Sequence, residues 1–220
     1  MTKKSHDPLS YAVLSDDSQR DENDYYPTPE DLIDKILSNK PYLKTLEQFY
    51  RLNTSLPFLD LGMGDGSWAY KLKLLFPKVK IHGIDIRDCS SSAYASSYDE
   101  IFTGNFIDYE FKNKYSIIGF NPPFYLLSDY KVRQPFLNKL GQISEGLTSF
   151  ILPDSYLTGG WRYDNIWKDR LVSYCPFTSR IDFTGGGKPR HKHGMFTWIS
   201  KGNYKPTINQ EMAINFIDTR

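Results

Sequence analysis

Phe58-Leu59-Asp60-Leu61-Gly62-Met63-Gly64-Asp65-Gly66 is a short apolar run that carries one carboxylate and ends in glycines at alternate positions. Such a run reads as a buried strand entering a tight turn, and Ser67 to Phe76 behind it has helical spacing. Glycine at that turn lets the backbone approach a ligand that a Cβ would exclude. The dinucleotide fingerprint G-x-G-x-x-G is not met, because its third glycine falls on Ser67. Asp60, two residues before Gly62, puts a negative charge where a pyrophosphate would be repelled. A ligand with an amino group or a net positive charge suits the turn better.

The same alternation continues outward. Val79 to Asp85, Ile101 to Gly104, Tyr115 to Phe120 and Ser149 to Leu152 read as strands, with helical spacing near 132–145 and from Trp161 to Tyr174. Ser179 to Phe183 and Met195 to Ser200 read as a terminal hairpin around the basic, glycine-rich loop between them. Upstream, Thr28-Pro29 is a helix start, with Thr28 as cap and Leu32, Ile33, Ile36 and Leu37 on one face. Pro41 breaks that helix, and Leu43, Leu46, Phe49 and Tyr50 continue in a second. Apolar strands alternating with helices predict an α/β fold with a mostly parallel sheet covered on both faces.

At 220 residues, 40% hydrophobic and 24% charged, the chain is sized for one domain with a proper core. Residues 1–24, rich in Ser, Asp and Asn, read as a flexible acidic leader, 25–205 as one domain, and 206–220 as a C-terminal tail. No apolar run reaches the roughly 18 residues of a membrane span, and MTKKSHDPLS is not followed by the apolar block of a secretory signal. Two unpatterned cysteines, Cys89 and Cys175, make neither a disulfide framework nor a zinc site. The expectation is a cytoplasmic or other reducing intracellular compartment and no membrane partner. The net charge of +1 hides an asymmetry. Residues 1–34 hold nine acidic side chains against three basic ones, and residues 161–205 the reverse. A basic C-terminal third suits an anionic partner such as nucleic acid.

Two further segments carry chemistry. Asp85 ends the second strand, where a carboxylate can accept both ribose hydroxyls of an adenosine. The fourth strand runs into Asn121-Pro122-Pro123-Phe124, where two prolines lock the backbone and remove two N–H donors. The Pro122 carbonyl and the Asn121 side-chain oxygen then offer two acceptors beside the Phe124 ring. That suits a planar substrate bearing an –NH2 group.

Together these segments resemble class I S-adenosylmethionine-dependent methyltransferases of the amino-methylating branch, typified by adenine-N6 methyltransferases. The resemblance runs from about Tyr25 to Ser200. Asp60 to Gly66 resembles the family's cofactor motif, with Asp60, Gly62, Gly64 and Asp65 as its contacts. Asp85, with Ile86 beside it, resembles the ribose-binding acid, and Asn121 to Phe124 the catalytic (D/N)PP(Y/F/W) tetrapeptide. Tyr26-Pro27-Thr28-Pro29 resembles the Y-x-T-P segment that holds the methionine part of the cofactor, with Tyr26, Thr28 and Pro29 at the site. Gly104-Asn105-Phe106 stands where the family has G-D-F against the cofactor adenine; Asn105 departs from Asp but keeps a carbonyl acceptor. Ile151 to Leu157 resembles the family's fifth-strand motif.

The resemblance implies a Rossmann-like, seven-stranded, mostly parallel sheet with one antiparallel terminal strand and helices on both faces. It implies S-adenosylmethionine as cofactor and transfer of a methyl group to an adenine N6 in DNA. Asn121 and Pro122 would be acceptors for the amino group, with no metal and no covalent intermediate. An extruded base would be gripped by Phe124 and by Phe183 or Phe196, although core packing is the favoured role for each of the last two. Lys188, Arg190, His191, Lys192 and His193 are expected to contact nucleic acid; the His191/His193 pair alone is too few ligands for a metal. Neither the stretch from Gly66 to Asn121 nor the residues after Phe124 leave room for a recognition domain. Target choice is therefore expected from loops, from a partner protein, or to be lax. RNA as substrate, a glutamine side-chain amide, and a non-catalytic subunit of the same fold are the alternatives.

Overall fold

The computed structural model describes residues 26–168, 170–183, 192–200 and 213–219. Its centre is a mixed sheet whose strands, in chain order, are β1 (Phe58–Leu61), β2 (Ile81–Asp85), β3 (Glu100–Thr103), β4 (Tyr115–Phe120), β5 (Ser144–Pro153), β6 (Leu171–Pro176), β7 (His193–Ile199) and the two-residue β8 (Ala213–Ile214). In space the order is β3-β2-β1-β4-β5-β7-β6-β8. Every neighbouring pair is parallel except those made by β7, which runs antiparallel to both β5 and β6. The seven-stranded sheet with one antiparallel strand, last of the seven in the chain, is therefore present, and β8 adds a short edge beyond it. Every residue of β1, β2 and β4 is buried, as strands covered on both faces require.

The helices follow from local signals. α1 (Glu30–Ser38) buries Leu32, Ile33, Ile36 and Leu37. Its N-cap is Pro29, whose carbonyl accepts from the Leu32 and Ile33 N–H groups; Thr28 does not cap it. α2 (Lys40–Leu52) starts before Pro41, not after it, because Asn39 caps it by accepting from the Tyr42 N–H at 3.1 Å and proline is tolerated in a first turn. α3 (Ser67–Leu75) links β1 to β2, and α4 (Tyr125–Ser128) and α5 (Tyr130–Ile143) link β4 to β5.

The C-terminal third departs from the sequence reading. Trp161 to Tyr174 is not one helix: a turn at Gly160–Arg162 passes into a π-helical turn at Tyr163–Trp167, and β6 follows. β7 therefore pairs with Leu171–Pro176 rather than with Ser179 to Phe183. Tyr174 and Cys175 carry β-forming side chains into the core, and that burial overrides the helical spacing read before them. Of the expected tail, 213–219 dock on the sheet through β8 and a parallel bridge from Ile217 to Phe177, with Ile217 buried. The expected leader, 1–24, lies outside the described residues. Among the described residues no helix is long and apolar enough to cross a membrane, and Cys89 and Cys175 are buried free thiols.

Candidate functional site

The carboxyl ends of β1, β2 and β4 open into a cleft that communicates with solvent. Ligands of α/β sheets bind at this edge. Gly62, Gly64 and Gly66 all have positive φ, at 76°, 55° and 89°. At Gly62 the need is steric as well: a Cβ there would stand 3.3 Å from Pro123 Cδ and 3.6 Å from the Asn121 carbonyl oxygen. Gly62 thus lets the glycine turn close onto the Asn-Pro-Pro segment of the neighbouring strand. Gly66 begins α3 where a Cβ would meet Tyr94 and Tyr98 at 3.0–3.1 Å.

Gly62, Gly64 and Asp65 line the cleft from this turn. The Asp65 carboxylate accepts from the Ser67 N–H and hydroxyl at 3.0 and 2.9 Å, pinning the start of α3. Asp60 does not line the cleft. It is 1% exposed beneath the turn, where its Oδ2 accepts from the Tyr98 hydroxyl at 2.6 Å. Burial, with the Asp65 and Asp85 carboxylates nearby, pushes the Asp60 carboxyl up to about 7 against the opposing pull of the Tyr98 bond. Asp60 therefore neither touches a ligand in the cleft nor presents it a full charge at neutral pH.

The sign of that shift gives a stability prediction. A carboxyl with a folded-state value near 7 and an unfolded value near 4 binds more protons when folded, so unfolding free energy falls as pH rises between the two. The drop is on the order of 4 kcal/mol for a gap of this size. Urea unfolding of the wild type from pH 4 to 7.5 is expected to show it, and Asp60→Asn, which still accepts from Tyr98, to flatten it. A flat wild-type profile would mean that Asp60 stays charged when folded.

Asp85, at the end of β2, faces the cleft, but its carboxylate is already engaged. Arg87 Nε and Nη2 donate to its two oxygens at 3.0 and 3.1 Å, the Arg87 N–H at 3.0 Å and the Gly64 N–H at 3.1 Å. Burial raises the Asp85 carboxyl, but these donors outweigh it and hold the group below the usual carboxylate value. Any ligand hydroxyl there must share the carboxylate with Arg87 or displace it. The sequence reading did not single out Arg87, although its spacing two residues after Asp85 suits a fork-to-carboxylate pair. Ile86, half exposed, lies between them at the cleft wall.

Gly104, Asn105 and Phe106 form the wall beyond β3. Asn105 Oδ1 accepts from the Ile107 N–H at 2.9 Å, so the side chain shapes its own turn while bordering the cleft. Tyr26, Pro27 and Thr28 border it from the opposite segment, whereas Pro29 only starts α1. Thr28 Oγ1 accepts from Trp68 Nε1 at 3.1 Å, and the Trp68 ring stacks on Phe120 at 4.6 Å. Trp68, absent from the sequence reading, thus ties the entry segment to β4.

Asn121 Nδ2 donates to the Tyr26 carbonyl at 2.9 Å. Only an amide nitrogen can make that bond, so the side chain's orientation is fixed and Oδ1 is left as an acceptor on a residue that lines the cleft. Pro123 lines it too, and Pro122 is buried. Phe124 is buried rather than presented to a ligand: its ring stacks on His193 at 5.6 Å, and Phe183 meets the same imidazole edge-on at 5.3 Å. His193 is 1% exposed, so it does not offer its imidazole to a phosphate at the surface, contrary to expectation. Phe196, on β7, is packed in the core against Trp167 and Tyr174 and grips nothing. Lys192 is exposed, while Lys188, Arg190 and His191 lie outside the described residues. No group of three or more His, Cys, Asp or Glu suited to a metal occurs among the described residues.

No family model and no curated protein matches this chain. Solved structures do. A Pyrococcus horikoshii protein, provisionally assigned as an RNA methyltransferase, superimposes with a TM-score of 0.53 at 16% identity, over 79% of this chain and 85% of its own. A provisionally assigned class I S-adenosylmethionine-dependent methyltransferase of Listeria monocytogenes gives 0.51 at 11% identity, over 86% of this chain and 62% of its own. At these identities the likeness is one of fold: the chain has the Rossmann-like fold of class I methyltransferases.

Proposed function

We propose that the chain is an S-adenosylmethionine-dependent methyltransferase that modifies the exocyclic N6 amino group of adenine in DNA. The observation that carries this reading is the clamped Asn121 amide, whose Oδ1 remains an acceptor at the cleft bordered by the glycine turn and Asp85. The residues present fit the cofactor. The Asp65 carboxylate suits a cationic ligand; the Asp85 carboxylate, shared with Arg87, suits a ribose diol; and Asn105 and Phe106 border the place an adenine would take. When bound, S-adenosylmethionine supplies an electrophilic methyl group on a sulfonium.

The chain's own part is to make a poor nucleophile competent. An adenine amino nitrogen has its lone pair delocalised into the ring. Asn121 Oδ1 and the Pro122 carbonyl would accept its two N–H bonds and favour a tetrahedral nitrogen with its lone pair aimed along the transfer line. The new N–methyl bond would replace the sulfonium's S–methyl bond, the thioether leaving neutral and the proton of the methylated nitrogen passing to water. Acceptors placed where positive charge develops stabilise the transition state more than the ground state. Holding the reactants in line supplies much of the rest. A base in a duplex must leave the stack to reach such a cleft. Lys188, Arg190 and Lys192 are proposed to hold the backbone around it. A partner protein is proposed to supply target recognition. RNA is the second reading, favoured only by the assignment of the Pyrococcus horikoshii protein.

Labelled methyl transfer to DNA, RNA and protein in parallel, followed by nucleoside and amino-acid analysis, tests the reading. N6-methyladenine from DNA is the expected product. Label in RNA alone transfers the assignment to RNA, label in glutamine to protein, and none at all favours a non-catalytic subunit.

A further inference from the structure

Two arginines lie in the segments that follow adjacent strands, without a carboxylate partner among the described residues. Arg133 lies in the first turn of α5, soon after β4 and the Asn-Pro-Pro-Phe segment, and Arg162 lies in the turn after β5. β4 and β5 pair in parallel through Phe120 and Phe150, so both segments leave the sheet at the edge where Asn121 sits. The Arg133 guanidinium lies 3.4 Å from the centroid of the Trp161 ring, and that of Arg162 lies 4.4 Å from the centroid of the Tyr156 ring. Nε of each is buried with no hydrogen-bond partner, and Arg162 Nη1 makes a single bond to the Thr158 carbonyl at 3.3 Å. No carboxylate lies within ion-pair distance of either among the described residues.

That arrangement is costly on its own. Burial, together with the like charge of Arg162, holds Arg133 below the ordinary arginine value. A partly desolvated guanidinium beside a like charge favours an anion that offsets both. Stacking each guanidinium on a ring holds its plane, and with Nε buried the Nη N–H groups are those an oxyanion would meet. Beside the pair, Trp161 is partly exposed and Tyr163 is 54% exposed, so aromatic surface accompanies the cationic surface. Cationic forks interleaved with exposed rings are how proteins track a polynucleotide strand.

We propose that Arg133 and Arg162 grip the phosphodiester backbone beside the target nucleotide, with Trp161 and Tyr163 offering surface to its neighbouring bases. The proposal rests on the reading of the substrate as nucleic acid, and it adds a backbone site on α5 and the segment after β5 to the residues proposed at 188–192.

The test is binding of adenine-containing single-stranded DNA and RNA oligonucleotides across a salt series, for wild type, R133Q/R162Q and R133K/R162K. Methyl transfer to the same oligomers and calorimetric binding of S-adenosylmethionine are measured alongside. The glutamine pair is expected to bind more weakly and to flatten the log–log salt slope by about 1.4, roughly 0.7 for each lost contact. The lysine pair is expected to keep the slope, since charge and not the fork sets it. S-adenosylmethionine affinity is expected to be unchanged in both. If the glutamine pair does not fold, R133Q, which leaves the Arg162–Tyr156 contact in place, is read with half the slope change. Unchanged slope and affinity in a variant of an enzyme that does bind and methylate oligomers would overturn the clamp and spare the reading of substrate. A wild type that neither binds nor methylates any oligomer overturns both.

Discussion

Asn121→Ala is expected to lower the rate of methyl transfer by about 10²–10³-fold, the usual loss for one transition-state hydrogen bond. The side chain has two jobs in the structure, and they predict different readouts. Its Oδ1 is the proposed acceptor for the substrate amine, so its loss appears in the chemical step. Its Nδ2 donates to the Tyr26 carbonyl, so its loss also frees one end of the segment that borders the cleft. Trp68 still holds that segment at Thr28, which limits the effect on cofactor affinity. Single-turnover rates at saturating cofactor separate the two. Asn121→Asp keeps the acceptor and gives up the donor, so it should retain more rate than Asn121→Ala while loosening cofactor binding to a similar degree. Wild-type turnover in Asn121→Ala would remove the Asn-Pro-Pro-Phe segment from the active centre.

The two functions of Asn121 also mark how far the sequence can be read. Its place at the end of a strand beside the glycine turn followed from local rules: an apolar run, a proline pair and a glycine triplet that admits the positive φ values of the turn. The first five strands along the chain followed from the same alternation, whereas their order across the sheet was not read from it. What was not legible depends on contacts between distant segments. Nothing in Tyr26-Pro27-Thr28 says that Thr28 meets Trp68 instead of capping α1, because both are satisfactory uses of one hydroxyl. Nothing near Phe124 says that its ring is covered by His193 from a strand seventy residues later. The basic sequence around His193 suggested a surface loop, but β7 begins at that residue and its pairing with Pro153 carries the imidazole inward. The helical spacing of Trp161 to Tyr174 failed for a related reason. β6 and β7 complete the sheet beside β5, and burying Tyr174 and Cys175 there outweighs local propensity.

Asp85→Ala is expected to cost S-adenosylmethionine about 1–3 kcal/mol of affinity, or roughly 5- to 150-fold, the penalty of leaving ligand hydroxyls without their acceptor. The engagement of this carboxylate by Arg87 and the Gly64 N–H makes the experiment sharper. If Asp85 acts by accepting ribose hydroxyls, its loss weakens S-adenosylmethionine and S-adenosylhomocysteine equally, because both carry the ribose and only the first carries the sulfonium charge. If it acts through its charge, the sulfonium ligand loses more. Asp85→Asn separates these further: it keeps an acceptor for the Gly64 N–H, removes the charge and breaks the ion pair with Arg87. On the ribose reading it falls between wild type and alanine for both ligands. Arg87→Ala then tests the competition. Freed of the guanidinium, Asp85 is a more available acceptor, and affinity for both ligands should hold or rise as long as the Gly64 N–H keeps the carboxylate in place. Equal affinity for both ligands in wild type and Asp85→Ala would mean that the ribose lies elsewhere, and the cleft would have to be read without Asp85.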